Sequence, residues 1–495
     1  MIFLTFILVG ALLLAIAVAT LASRYRNTRD IGAKTDFLNT ITIVHIAFYL
    51  IYTAYILVNV SLPVYTLGKY LFIDPLALYE VLITSIVFLL SAIYGRGYIR
   101  SLLDRDEVKA ESVGLFYTCF NLLLVVVAFS FFSNNLALFW ILLELTTIIS
   151  AVLIVMLSAR ENIIAALKYV FIASTAMLFS VIGLIILFNI SKGSASGSGT
   201  LNWNELMQSA SFLPAPAFTF AFTFMFIGFA SKAGIAPFHT WLPQAHAKAP
   251  SMVSAVLSAV LLNCGMYGII RLFAIAHQIE SGKVISIIMI VFGIISIAIA
   301  AFSMLPRGNI KKLIAFSSIE HMGLVLIGIG IGTPVAIFWT LFHIIVHSLS
   351  KSLLFFSAGI LHHQFNSNQM EDMHNTLKLQ PLASWGIIIG SLVVIGMPPF
   401  PMFLSKLFIL TQVGSYYLPL VLLILLLLLI IAAAFAFLLI PVFTKQTEVV
   451  IPTCNISWTM KLPIVLLFVG ITCIGIFCLP LFNNMLANIV SSLGF

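Results

Sequence analysis

Charge is scarce in this chain. Only 8% of its 495 residues are Asp, Glu, Lys or Arg, against about 25% in soluble domains, and the mean hydropathy is +1.16. That excludes an ordinary soluble protein. A length prior of about 150 residues per domain suggests three soluble domains, but the apolar runs never pause long enough to make one. Cysteine is also sparse: Cys119, Cys264, Cys454, Cys473 and Cys478 form no CxxC and no iron–sulfur or zinc spacing. They read as small apolar helix residues, so no cofactor and no metal site is expected in the chain. No basic region precedes the apolar run Ile2 to Thr20, which ends in Arg24 and Arg26. It reads as a retained first span, not a cleaved signal peptide.

What the chain does have is membrane-length apolar segments. A span needs about 20 apolar residues. Runs near 2–22, 37–60, 72–95, 113–131, 134–157, 163–190, 214–238, 251–275, 283–304, 312–331, 334–361, 382–411, 417–443 and 461–481 give fourteen. The run into Lys232 ends in Gly234-Ile235-Ala236-Pro237, and the run from Ser384 to Gln412 is broken by Met397-Pro398-Pro399. Both read as discontinuous helices, which membranes tolerate only where the freed backbone groups face protein or water. The polar stretch Ser191 to Gln208 is Gly/Ser-rich and reads as a flexible loop without a site.

The net charge of +8 reads as orientation, not as a nucleic-acid surface, because the basic residues cluster in alternate loops. With the N-terminus outside, the inside loops hold sixteen: Arg24, Arg26, Arg29, Lys34, Arg96, Arg100, Arg105, Lys109, Arg160, Lys248, Arg307, Lys311, Lys312, Lys378, Lys445 and Lys461. The outside ends hold four: Lys69, Lys192, Arg271 and Lys283. The positive-inside rule then places both termini outside.

Against this background a few buried charges stand out. Glu144 lies mid-run between Asn134 and Leu157, about 15 Å deep. Lys232, Lys351 and Lys406 lie in three other runs. A bare charge in hydrocarbon costs several kcal/mol unless paired or wetted, so four of them point to movement of charge across the membrane. A Glu144–Lys232 pair of variable separation would act as a proton switch; the plainer alternative is a static ion pair fixing helix register. His343, His347 and Lys351 are spaced i, i+4, i+8 and share one helical stripe. That suits a proton relay; a satisfied core histidine or a metal ligand pair are the alternatives. Glu320 and His321 are placed to pass protons between halves of the chain. Lys406, after the Pro-Pro break, suits an exit gate or a snorkelling lysine. Glu80 suits either a relay or a contact to another subunit. His362, His363 and His374 are expected in a solvated inside loop.

The spacing repeats. Glu144 and Lys232 are 88 positions apart, and Glu320 and Lys406 are 86 apart. Lys168 and Lys351 fall on the intervening spans. Spans four to eight and nine to thirteen therefore read as two copies of one five-span unit, inverted because five is odd, as in transporters. The expected fold is all-α and polytopic, with about fourteen transmembrane helices. The divisions are 1–112 (three helices), 113–275 (first repeat), 283–443 (second repeat) and 461–495 (last helix).

Ala230-Ser231-Lys232-Ala233-Gly234-Ile235-Ala236-Pro237-Phe238-His239-Thr240-Trp241-Leu242-Pro243-Gln244-Ala245-His246 resembles the signature of the proton-pumping membrane subunits of complex I. Those subunits are similar to parts of multisubunit cation/proton antiporters. The resemblance runs from about Leu115 to Thr444. Ser317 to Gly323 and His347 to Gly359 look most like the antiporter-like subunit of group four membrane-bound hydrogenases. It implies two inverted five-helix bundles and a midplane line of charge and water. The functional acid then falls on Glu144, the broken-helix lysine on Lys232, the central relay on His321, His347 and Lys351, and the terminal gate on Lys406. Lys168, His239, Glu320 and His343 complete the expected proton path. One position departs: Asn263, in Val260-Leu261-Leu262-Asn263-Cys264, stands where complex I pumping subunits usually place a lysine.

The resemblance implies a proton- or sodium-translocating subunit of a redox-driven complex in a bacterial or archaeal cell membrane. Its partners would be other membrane subunits and a peripheral arm with iron–sulfur centres, nickel being a further option. Electron transfer belongs to those partners. The alternatives are a subunit of a non-redox cation/proton antiporter or of a proton-driven uptake complex for a solute such as inorganic carbon, and a spacer that has kept the fold without conduction.

Overall fold

A computed structural model describes residues 31–495 apart from 158, 194–198, 280, 281, 307, 446–451, 477 and 478. The expected first span, 2–22, lies outside the described residues, as do Arg24, Arg26, Arg29, Arg307 and Cys478.

Helix termini follow local chemistry. Helix α1 is Ile31–Asn59. A short hairpin follows, β1 Val64–Thr66 against β2 Leu71–Ile73, with Val64 opposite Ile73. Helix α2, Pro75–Asp104, starts with proline at its first position and with the Asp74 side chain accepting from Ala77 N. Helix α3 is Ser112–Phe132. Helix α4, Leu136–Val155, is capped by Asn135, which accepts from Ala137 N and Leu138 N. Helix α5 is Arg160–Ser191, α6 the short Trp203–Gln208, and α7 Ala215–Lys232. After a break come α8, Leu242–Lys248, and α9, Ser251–His277, which contains a π-helical turn at Leu257–Leu261. Helices α10 (Gly282–Ser303), α11 (Ile310–Ile331) and α12 (Pro334–Phe365) are unbroken. Two half-length helices follow, α13 Pro381–Ile395 and α14 Pro401–Gly414. The chain closes with α15 Leu418–Thr444, α16 Trp458–Ile476 and α17 Leu479–Ser492.

Among the described residues, twelve helices are long and apolar enough to cross a membrane. The run expected at 382–411, broken at Met397-Pro398-Pro399, is the α13/α14 pair. The core segments of α9 and α12 are wholly buried, and α11 nearly so. Helices α1, α5, α10, α15 and α16 form the rim and turn apolar side chains outward, such as Val44, Ile51 and Val58 on α1 and Leu422, Leu425 and Leu429 on α15. Polar side chains concentrate in the middle. This is the arrangement lipid favours, because a polar group there finds partners only inside the bundle.

Both expected breaks are present, each with a glycine in the left-handed region: Gly234 at φ 73° and Gly396 at φ 88°. The freed backbone groups are satisfied by protein. At the first break Trp241 Nε1 donates to Ser231 O at 3.0 Å, and Ala236 N donates to Ser296 Oγ at 3.0 Å. At the second, Gly396 N and Met397 N fold back onto Val393 O and Leu392 O.

Several expectations need correction. The stretch Ser191 to Gln208 is ordered at its second end. It forms α6, buries Trp203 against Ser133 O (2.9 Å), and ties Thr200 to Ser191 and Glu205. Hydroxyl and indole anchoring outweighs its Gly/Ser composition. Arg271 is not a loop-end charge: it is buried and ion-paired to Asp74 at 2.6 Å. Lys311 is buried as well, donating to Ala249 O at 3.1 Å. His362 and His363 belong to the last turn of α12 and are half-buried, because the helix runs on to Phe365.

A buried line of polar side chains

The line begins on α4. Glu144 is half-buried, accepts from Ser174 Oγ of α5 at 2.8 Å, and leaves Oε1 without a partner. Its neighbours Ile141, Leu145 and Ile148 are exposed, so the carboxylate sits at the edge of the bundle. Among the described residues no cation lies within ion-pair distance of it. Of the two readings of Glu144 and Lys232, a pair of variable separation or a static ion pair, the structure shows no closed ion pair between them among the described residues.

Lys232, the last residue of α7, is 1% exposed. Its Nζ donates to Thr147 Oγ1 at 2.8 Å and to Tyr169 OH at 3.2 Å. Thr147 lies three residues beyond Glu144, about one turn along α4. Tyr169 contacts Ser150 Oγ at 3.0 Å and packs on Trp241. Lys168, expected in the path, is exposed on the outer face of α5 among Ile164, Leu167 and Phe171. One position of helical rotation, about 100°, gives the inward place to Tyr169. His239 lies on the connection after the break, largely buried with Nδ1 unpartnered. No hydrogen bond among the described residues joins it to Lys232.

The centre is a histidine cluster. His321 Nδ1 and His343 Nε2 are 3.0 Å apart, and His343 Nδ1 lies 2.8 Å from Ser405 Oγ of α14. His347 has its ring centroid 5.3 Å from that of His321 and no hydrogen-bond partner on either nitrogen. All three are fully buried. His343 thus bonds across to α11, not along its own stripe to His347. Lys351 hangs below the cluster, donating to Ile314 O at 2.9 Å and to Ser317 Oγ.

The line ends in an ion pair. Lys406 Nζ is 2.9 Å from Glu320 Oε1, and Glu320 Oε2 is 3.4 Å from His321 Nε2. The same ammonium donates to Val394 O (2.9 Å) and contacts Ile395 O (3.4 Å), carbonyls at the end of α13 that the break leaves free. Lys406 points inward and does not snorkel.

Sequence reasoning missed the hydroxyls that stitch these groups together: Thr147, Tyr169, Ser174, Ser317, Ser348 and Ser405. Such residues are common in spans and carry no signal until their neighbours are known. It also passed over His246 as a functional side chain. That ring is fully buried, stacked on Phe355 at 5.1 Å, with both nitrogens unpartnered.

At one end of the bundle a cleft of about 420 Å³ is lined by Glu107, Asn162, Lys248, Asn309, His362 and Asn366, among others. Burial pushes the Glu107 carboxyl up from its ordinary value, with Arg105 and Lys311 pulling the other way.

Chemically, the line is made of groups that can carry a proton (Lys, Glu, His), some in direct contact and others bonded to hydroxyls (Ser, Thr, Tyr). The fold and this line define a polytopic antiporter-like membrane protein. The chain belongs to the transmembrane family described as NADH:quinone oxidoreductase/Mrp antiporter, which matches residues 133–432. It is 30% identical over 351 residues to a hydrogenase-4 component F homolog of Methylacidiphilum infernorum, covering 70% of this chain and 73% of that one. It is 28% identical over 344 residues to NADH-quinone oxidoreductase subunit M of Rickettsia prowazekii, covering 70% and 66%. Its fold matches a chain of an archaeal membrane-bound sulfane sulfur reductase (TM-score 0.84, 21% identity, 99% and 97% covered). It also matches one of the Mrp complex of Dietzia sp. (TM-score 0.81, 16% identity, 99% and 97% covered).

Proposed function

We propose that this chain translocates protons, with sodium as the other candidate ion, as one membrane subunit of a redox-driven complex. The observation that carries the reading is the buried series Lys232, His347, His321, His343, Glu320 and Lys406, set between two broken helices in the most enclosed part of a membrane bundle. Each of these groups costs several kcal/mol to bury, and a protein with no traffic through its middle gains nothing by keeping so many.

Moving one charge against 100 mV requires about 2.3 kcal/mol. This chain holds no redox motif, so the energy arrives from partner subunits, whose peripheral arm would carry iron–sulfur centres. The relatives named for hydrogenase and quinone-reductase components support that assignment. Two inverted five-helix repeats, 113–275 and 283–443, would each supply one broken helix. With both termini outside, the cleft at Glu107 and Lys248 opens inside and serves as an entry mouth. Glu144, at the bundle edge, is the group best placed to exchange charge with a neighbouring subunit. Lys168 and His239 would act only at the margins of the path.

The test is reconstitution. The purified complex containing this chain is placed in liposomes with a lumenal pH dye and driven by its electron donor. Acidification that disappears in Lys232→Ala and Lys351→Ala supports the proposal. Equal acidification in both variants rejects it. A pH change produced by a sodium gradient alone, without electron flow, would transfer the chain to the non-redox antiporter reading.

A further inference from the structure

Among the described residues no hydrogen bond joins Lys232 to the histidine cluster, and α9 packs beside both α7 and α12. There α9 carries Asn263, just past its π-helical turn Leu257–Leu261. Asn263 Nδ2 donates to Ser348 Oγ at 3.2 Å, and Ser348 Oγ donates to Ala259 O, inside that turn, at 2.7 Å. Amides and hydroxyls hand protons on but do not store them at ordinary pH. A π-turn reorients the side chains that follow it, and such turns recur at functional sites. Here it turns Asn263 toward α2.

What it faces is Glu80. This carboxyl is 1% exposed. Its Oε2 accepts from Asn263 Nδ2 at 3.2 Å, and its Oε1 has no partner. Asn263 Oδ1 is likewise buried and unpartnered. Gly265, two residues beyond Asn263, packs against the backbone of Phe229 and Ala233 at the end of α7, which brings this part of α9 beside Lys232. Ser348 is the residue after His347 on α12, so the contact lies at the depth of the histidine cluster, about 100° around the helix from the His347 ring. Burial removes the subunit-contact reading of Glu80.

We propose that Glu80 is the proton-storing group that joins Lys232 to the histidine cluster, standing in for the titratable side chain that position 263 lacks. The proposal rests on the translocation reading above. In the first hop an N–H bond of the Lys232 ammonium breaks and an O–H bond forms on Glu80 by way of intervening water, leaving a neutral amine and a neutral carboxyl. In the second, that O–H breaks and an N–H forms on His347, restoring the carboxylate and leaving an imidazolium. Asn263 serves both states: its Nδ2 donates to the carboxylate, and its free Oδ1 accepts from the protonated acid after a small rotation. Glu80 comes from α2, outside both proposed repeats, so the N-terminal segment supplies part of the path.

The experiment uses the whole complex in liposomes, with rates taken per assembled complex. Glu80→Gln keeps size and hydrogen bonding but cannot store a proton; pumping falls about tenfold or more. Glu80→Asp recovers most of the rate, and Glu80→Gln with Asn263→Lys recovers it by moving the titratable group across the contact. Wild-type pumping by Glu80→Gln or by the apolar Glu80→Met overturns the proposal. A second measurement needs only the conservative variant. Infrared difference spectra on energising the complex should show a carboxylic C=O band that shifts in Glu80→Asp, and identical spectra also overturn it. Lys232→Ala separates the two levels. If it abolishes pumping while Glu80→Gln does not, only this proposal falls; if both pump normally, the translocation reading falls as well.

Discussion

Lys406 and Glu320 are in contact, Nζ to Oε1 at 2.9 Å, whereas Lys232 bonds to the hydroxyls of Thr147 and Tyr169 and not to Glu144. One lysine–glutamate couple is closed and the other open in the same structure. Opposite charges in a low-dielectric interior hold each other's ionised forms, and separation releases that hold. This asymmetry is what the stepwise charge transfer proposed above would require.

The closed couple makes a stability prediction. Glu320→Gln leaves the Lys406 ammonium buried with only carbonyls as partners, and removing one member of a buried pair costs about 3–5 kcal/mol. The purified subunit in detergent should melt at a clearly lower temperature. Glu320→Gln with Lys406→Met should regain most of that loss while transport stays absent. An unchanged melting curve for the single variant would contradict the pair's importance.

The open couple makes a kinetic one. Glu144→Gln should abolish translocation with assembly intact, because the side chain is half-exposed and its one hydrogen bond, from Ser174, survives the change. Ser174→Ala should do less, about fivefold, corresponding to roughly 1 kcal/mol for one partly solvated hydrogen bond. Pumping rate and assembled complex, measured on the same vesicles, check both. Normal acidification in Glu144→Gln would remove Glu144 from the path.

Lys232 is held by two hydroxyls, so Tyr169→Phe and Thr147→Val should each slow pumping several-fold, about 1 kcal/mol per bond. Their combination should fall below the product of the two, because the last protein acceptor is then lost. Lys168→Ala, on the outer face, should pump within about twofold of wild type, as exposed sites away from partners usually change little. A large loss in Lys168→Ala would mean that the outer face of α5 carries charge in the assembled complex.

Arg271 and Asp74 form a second buried ion pair, reinforced by Tyr267 OH at 2.8 Å. It ties the start of α2 to α9 away from the histidine cluster. Arg271→Met should lower stability by about 3–5 kcal/mol and reduce the yield of assembled complex. Pumping per assembled complex should stay near wild type, since no group of the path is touched. Asp74→Ala should be worse, because Asp74 also caps α2 through Ala77 N at 2.9 Å. Equal yields for wild type and both variants would show that this end of the bundle is held by other contacts.

Much of the candidate site was visible in the chain because the membrane makes it so. A charge in an apolar run is conspicuous, and Lys232, Lys351, Lys406, Glu320 and the three central histidines are all buried as their runs suggest. The two breaks were visible too, since Gly234 and the Met397-Pro398-Pro399 segment interrupt otherwise continuous helix. Lys168 misled because a residue's place within a run gives its depth but not its azimuth, and one step around α5 separates it from Tyr169. The Ser191 to Gln208 stretch misled because composition does not reveal that Trp203 has a pocket beside Ser133.

The sequence alone determined that this is a bundle of apolar helices, where two of them break, and which ionisable groups lie at depth, because hydrocarbon thickness and backbone hydrogen bonding impose those features segment by segment. The tertiary structure decided who meets whom: Lys406 with Glu320, Lys232 with hydroxyls, His343 with His321, and Glu80 with Asn263. Those contacts depend on helix rotation and crossing, which arise from packing among segments far apart in the chain and leave no local mark on it.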